Sequence, residues 1–202
     1  MTTKSNYKIC SFEASEINKL VYLHQQIFPE YFLTNLGPDV LRQFYLWFNN
    51  SDKTYINVIK SDDRQELFGL AMLTGEYDEL FGSFTSSHKI LIIKGIFKGL
   101  LTLKKPVYLG LYSRLASFFS KNKDRFDYRY SLVSLGVHPD IQHASLGSKL
   151  VASIERELEE MNVDKYSLSV KKNNPNAIRF YQKMNFKKIG ENDKLIYLGK
   201  KL

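Results

Sequence analysis

The chain predicts an α/β fold: a central mixed, twisted sheet flanked by helices, in a single domain over residues 1–202. Three stretches carry that prediction. Residues 130–161 pass from an apolar, β-branched run through a polar loop to an apolar period of three and four, the pattern of a strand feeding a helix. Residues 165–198 repeat the change from strand to helix and close on a hairpin. Residues 54–74 hold two further strand-like runs joined by the polar SDDRQ. A length of 202 residues suits one well-packed domain and is short for two.

Taken in order, Tyr7 to Phe12 alternates weakly and predicts an edge strand. Ser15 is placed to cap a helix whose apolar stripe is Ile17, Leu20, Val21, Leu23 or His24, Ile27 and Phe28, and Pro29 stops it. His24 on this stripe is expected to be a satisfied packing residue. An aromatic turn then leads into a second helix begun by Pro38, and Phe28, Tyr31, Phe32 and Phe44 are expected mainly in the core. Strands follow at Thr54 to Lys60 and Glu66 to Thr74, with Glu76, Tyr77, Asp78 and Glu79 directly behind them. The next strand begins near Tyr128, so about 50 residues (78–127) stand between two neighbouring strands.

Within that segment Lys89 to Lys105 has helical period. Lys94, Lys98, Thr102 and Lys105 share a face, and Ile92, Ile93, Ile96, Phe97, Leu100 and Leu103 occupy the rest. Gly95 and Gly99 weaken this helix by roughly 1 kcal/mol each relative to alanine. Three readings stay open: a lid packed on the domain, a peripheral contact with an anionic membrane through 89–105, or a homodimer contact. Leu111 to Phe119 predicts a second helix, and KNKDRFD the return to the sheet.

Net charge sharpens the point. The formal charge is +8, and residues 88–123 hold eight lysines and arginines with no acid. Taking those eight from 29 basic residues leaves 21, equal to the 21 acids. All of the excess therefore sits in one segment, which argues for a local basic feature and against a spread nucleic-acid surface. One cysteine, Cys10, leaves no internal disulfide and fits a reducing cytoplasm. No run approaches the roughly 18 apolar residues of a membrane span, and MTTKSNYK lacks a signal-peptide core. A cytoplasmic protein is expected, with the basic helix leaving open a peripheral position at the inner face of the membrane. His24, His88, His138 and His143 share no metal-ligand spacing.

Candidate function concentrates in Tyr130 to Leu150, YSLVSLGVHPDIQHASLGSKL. Ser131 to Val137 has the pattern of a strand buried on both faces, and Pro139 ends it. Gln142 to Ser148 is a loop of small and polar residues. A helix follows with Leu146, Leu150, Val151, Ile154, Leu158 and Met161 on one stripe. A strand feeding such a loop and a helix N-terminus is a site for anions, because the first helical N–H groups lack internal partners.

VSLGVHPDIQHASLGSKL resembles the acetyl-CoA signature of the GNAT N-acetyltransferase family, Q/R-x-x-G-x-G/A. Gln142 and Gly147 match, and Ser145 stands where the first glycine usually lies. Downstream, VKKNNPNAIRFYQKMNFKKIG resembles the family's closing N-x-x-A-x-x-x-Y-x-x-x-x-F. Asn174, Ala177, Tyr181 and Phe186 fall on that pattern, and Asn185 replaces the usual glycine before the phenylalanine, a mild change at a left-handed position. Together the motifs span about a third of the chain. FPEYFLTNLGP (28–38) further resembles a GNAT subgroup of bacterial surface-polysaccharide biosynthesis.

The resemblance implies a GNAT-type domain with 78–127 as an inserted helical element, acetyl-CoA as cofactor with coenzyme A as product, and direct transfer of acetyl to an amine. It implies cofactor contacts at Leu135, Gly136 and Val137 on the strand and at Gln142, His143, Ala144, Ser145, Leu146, Gly147 and Ser148 in the loop. Asn174, Ala177 and Tyr181 complete them, with Asn174 near the pantetheine arm. Tyr181 is implied as the acid that protonates the thiolate. A phenol of pKa about 10 suits that task. Glu76 and Asp78 are the nearest carboxylates for a general base, because the cofactor strand carries none, and Asp78 is expected rather as a solvated loop charge. The expected acceptor is a small-molecule amine, first an amino sugar on a nucleotide or lipid carrier. A protein or peptide amine is the alternative, and a non-catalytic, membrane-associated acyl-CoA-binding module the rival.

Overall fold

A computed structural model describes residues 7–61, 66–102, 127–141 and 145–202. Seven strands form one sheet in the order β1-β2-β3-β4-β5-β7-β6. They are β1 (Tyr7–Ser11), β2 (Thr54–Ser61), β3 (Leu67–Thr74), β4 (Tyr130–Val137), β5 (Lys165–Lys171), β6 (Lys187–Glu191) and β7 (Leu195–Lys201). All neighbours are antiparallel except β4 and β5, so the sheet is mixed, as expected. The helices are α1 (Ile17–Ile27), α2 (Phe32–Asn35), α3 (Pro38–Asn49), α4 (Tyr77–Ser87), α5 (Lys89–Leu101), α6 (Leu146–Glu160) and α7 (Pro175–Lys183). The expected order of strands and main helices holds across the described residues, joined by two helices that were not expected, α2 and α4. The hairpin turn at 62–65 and the helix expected at Leu111 to Phe119 lie outside them.

The described residues form two compact units. The first holds the sheet with α6 and α7. Leu146, Leu150, Val151, Ile154 and Leu158 of α6 are buried against Ile59, Phe68, Ala71 and Leu73 of the sheet. That stripe recurs at the helical period, and covering one face of a sheet with it removes both apolar surfaces from water. α6 and α7 each end on an asparagine in the left-handed region, Asn162 (φ 54°) and Asn185 (φ 66°). In both, the next residue's N–H returns to a carbonyl of the last turn: Val163 to Leu158 at 2.9 Å, Phe186 to Tyr181 at 3.0 Å. This Schellman arrangement satisfies carbonyls that helix ends leave orphaned.

The second unit holds α1–α3 with α5 and most of α4. Ser15 does not cap α1; it lies in a 3-10 turn, Ala14–Glu16, and the side chain at the cap position, Glu16, makes no capping bond to the helix backbone. His24 packs as expected but is only half satisfied: it is buried on α1 with its Nδ1 2.6 Å from the Tyr45 hydroxyl, while its buried Nε2 has no hydrogen-bond partner among the described residues. Burial lowers its pKa to about 4 and raises that of Tyr45. Phe28 and Phe44 are buried as expected, whereas Tyr31 is 43% exposed.

The helical period of Lys89 onward is borne out by α5, where Ile92, Ile96 and Leu100 are half-buried and Ile93 and Phe97 exposed. Gly95 and Gly99 are the residues it buries. A Cβ on Gly95 would meet the Leu36 carbonyl oxygen at 2.6 Å and Val40 Cγ2 at 3.3 Å, so glycine lets this backbone approach α2 and α3.

Candidate functional site

β4 changes character along its length. Tyr130, Ser131 and Leu132 pair with Tyr166, Ser167 and Leu168 of β5, and there the pairing stops. On its other edge β4 stays paired with β3 as far as Val137. The register with β3 slips between Met72 and Leu73, whose partners are Ser134 and Leu132, leaving Val133 as an extra residue. A bulge of this kind bends its strand and sharpens the local twist. Here it falls where β4 parts from β5. The expectation that Ser131 to Val137 is buried on both faces is therefore corrected: only Leu132 in that span is fully buried, because the strand beyond it has lost a neighbour.

The opening exposes specific backbone groups. The His138 N–H donates to the Phe68 carbonyl at 2.7 Å, on the β3 side. Peptide groups alternate between the two edges of an antiparallel strand, so those of Gly136 also face β3 and those of Leu135 face the gap. Of the three strand residues expected at the cofactor, Leu135 thus turns its backbone polar groups to that edge. Gly136 instead pairs with Leu70.

Beyond β4 a 3-10 turn, Pro139–Ile141, leads to the N-terminus of α6. Gln142, His143 and Ala144 lie outside the described residues. Ser145 is the N-cap of α6 and is left-handed, φ 54° and ψ 19°, with no side-chain cap bond. This explains why a glycine would serve there, and the serine bears a strain that glycine would not. The first bond of the helix runs from the Lys149 N–H to the Ser145 carbonyl at 3.2 Å. The N–H groups of Leu146, Gly147 and Ser148 precede it, at the end where the helix dipole is positive. A Cβ on Gly147 would stand 3.4 Å from Phe180 Cζ, ordinary contact, so the fold itself tolerates a larger residue there.

α7 is the other wall. Asn174 caps it, its Oδ1 accepting the Ala177 N–H at 3.1 Å. A capping role for Asn174 was not anticipated, although Asn followed by Pro at the first helical position signals it. Ala177, Phe180 and Met184 pack against the cluster under α6. Tyr181 is 9% exposed, edge-on to Phe180 and Phe186 at centroid distances of 5.1 and 5.4 Å. The Phe186 contact belongs to the helix-end motif at Asn185, so the cap that ends α7 also fixes the Tyr181 ring. Glu76 follows β3 at the Ser131 end of β4; its carboxylate is ion-paired with Lys53 and its N–H donates to Thr74 Oγ1 at 3.1 Å. The Asp140 N–H lies 3.4 Å from His138 Nδ1.

The two sides of the sheet differ beside the gap. Leu132 and Leu168 face the cluster under α6. Pairing places Ser131 opposite Ser167, with hydroxyls 3.3 Å apart, and Ser169 opposite Tyr197. Alternation puts these, with Ser134, on the other face. Among the described residues, that face of β4 and β5 beside the gap carries these four serine hydroxyl groups and no carboxylate. Among the described residues no group of His, Cys, Asp and Glu is placed to hold a metal ion.

The model of the acetyltransferase (GNAT) family matches residues 112–186. Solved structures similar to this chain include the PaiA N-acetyltransferase of Thermoplasma acidophilum in complex with coenzyme A, with a TM-score of 0.62 and 11% identity over 98% of this chain and 99% of that one. The ribosomal-protein-S18-alanine N-acetyltransferase of Escherichia coli aligns with a TM-score of 0.58 and 14% identity over 97% and 94%. The spermidine/spermine N-acetyltransferase SpeG of Vibrio cholerae gives 0.54 and 13% over 97% and 95%. At such identities the likeness is one of fold. No curated protein matches the sequence.

Proposed function

We infer that this chain, whose residues 112–186 match the acetyltransferase (GNAT) family model, is an acetyl-CoA-dependent N-acetyltransferase acting on a small amine. The observation that carries this reading is the parting of β4 from β5 at Val133 beside an uncapped α6 N-terminus. Pantetheine adds to the open edge of β4 much as a strand would, bonded by the peptide groups of Leu135. The pyrophosphate rests on the N–H groups of Leu146, Gly147 and Ser148, with Gln142, His143, Ala144 and Ser145 completing the loop around it. Asn174 serves this site through its helix cap, with its amide NH2 directed to the pantetheine arm, and Ala177 keeps α7 close.

The chemistry is one displacement. The amine nitrogen attacks the thioester carbonyl, the oxygen gains negative charge against the Leu135 N–H, and the carbon–sulfur bond breaks. Tyr181 donates its phenolic proton to the departing thiolate, releasing coenzyme A. The ammonium proton leaves through water to Glu76, whose pairing with Lys53 fixes it at the Ser131 end of β4. The hydroxyl floor of Ser131, Ser134, Ser167 and Ser169 favours a polyhydroxylated acceptor, which supports an amino sugar on a nucleotide or lipid carrier.

Free-thiol release from acetyl-CoA, measured against amino-sugar nucleotides, polyamines and peptides beginning with alanine, tests the reading. Turnover is expected with the amino sugars. Turnover on peptides alone would replace the acceptor class, and tight acetyl-CoA binding without any turnover would replace the enzyme with a binding module. Tyr181→Phe is expected to lower kcat about 100-fold with KM unchanged. Glu76→Gln is expected to lower kcat about 100-fold.

A further inference from the structure

α5 carries a second surface that the transfer reaction does not use. With Gly95 and Gly99 turned inward, Ile90, Ile93, Phe97 and Leu101 are 73%, 63%, 64% and 69% exposed. At the α-helical period these four fall within about 80° of arc, one continuous apolar stripe about 17 Å long. Isolated exposed apolar residues are ordinary, but a stripe of four along one helix is not. Lys94 and Lys98 flank it on one side and Lys89 on the other, all exposed, and α5 contains no acid. At its N-terminal end the stripe adjoins an open hollow bordered by Ser86, Ser87, Lys89 and Lys94.

We propose that this face docks on an anionic lipid surface, the stripe entering the acyl boundary and the lysines meeting the headgroup phosphates. Charge selects this occupant over the alternatives. A second copy would bring lysine-bearing helices together with no carboxylate on α5 to pair them. The chain's own residues 103–126 carry Lys104, Lys105, Arg114, Lys121, Lys123 and Arg125 against Asp124 alone, so they too would add like charge. An anionic bilayer supplies both the apolar medium and the opposite charge. The helix is too short to cross: among the described residues no helix is long and apolar enough to span a membrane. It would lie flat.

Co-sedimentation of the full chain with vesicles of phosphatidylcholine, with and without a third of phosphatidylglycerol, tests the proposal. Binding is expected only to the anionic vesicles and is expected to weaken with salt. Lys94→Gln with Lys98→Gln should lower the partition coefficient about 25-fold, taking about fivefold per lysine near the surface. Ile93→Ser with Phe97→Ser should lower it by at least about tenfold, with acetyl-CoA binding unchanged in both variants. Failure of the native chain to bind, or equal binding by either variant, overturns the proposal. A concentration-dependent dimer that Phe97→Ser dissociates, with no vesicle binding, would assign the stripe to a second copy instead.

Discussion

The two halves of β4 have similar compositions and opposite fates. Tyr130 to Leu132 sits between β3 and β5, and Tyr130 and Leu132 are buried. Val133 to Val137 keeps β3 but has no ladder to β5 and stays half-exposed. Three residues of sheet are thus structure, and the next five are a slot with backbone donors and acceptors along its edge. Apolar residues make either half a good strand. What separates them is the partner, and the bulge at Val133 is where the partner is lost.

That contrast breaks first if the open half proves to be structural. Leu132→Ala should cost about 3 kcal/mol in urea denaturation, as for a buried leucine, and Leu135→Ala under about 1 kcal/mol. Equal losses would mean that Val133 to Val137 is held as firmly as the paired half.

Acid lability should lie away from the slot, at His24. Its folded pKa of about 4 is below the ordinary 6.5, because burial disfavours the charged ring. The unfolded chain therefore binds more protons between those values, and stability rises with pH there. The contribution is fully present above pH 6.5 and is lost as pH falls toward 4, about 3 kcal/mol in all. Denaturation midpoints at pH 7 and pH 4.5 measure it. His24→Phe should flatten this slope whatever its absolute stability, and a slope unchanged in that variant would move the acid-labile point elsewhere.

Gly147→Ala separates site from scaffold most sharply. The fold has ordinary room beside Phe180, so the melting temperature should hardly move. Calorimetric affinity for acetyl-CoA should fall at least about tenfold, because the methyl group occupies the approach to the helix N-terminus. Smallest of all, Ser145→Gly should stabilise the fold by up to about 1 kcal/mol by relieving a left-handed serine, and Asn185→Ala should destabilise it by about as much. Ser145→Gly that destabilises would mean that the left-handed turn is not strained.

Much of this was legible in the sequence, for physical reasons. The stripe of α6 shows because its residues recur three and four apart and all meet one sheet face. Asn185 and Ser145 show because a left-handed position admits few side chains, so a departure from glycine is noticed. The bulge at Val133 did not show, since a bulge is a mismatch between two strands and either strand alone looks regular. The inward turn of Gly95 on α5 was missed for a related reason. Period counting weights the bulky isoleucines, whereas the Leu36 carbonyl rewards the residue with no side chain at all.

Amide hydrogen exchange, followed residue by residue with and without acetyl-CoA, tests the central claim most directly. Leu132 should exchange slowly in both states, already held between two strands. The Leu135 amide and those of Leu146 to Ser148 should exchange faster in the free protein and slow on adding acetyl-CoA. Acetyl-CoA that leaves these amides unchanged, or protects a different strand, would contradict a cofactor slot along the open half of β4.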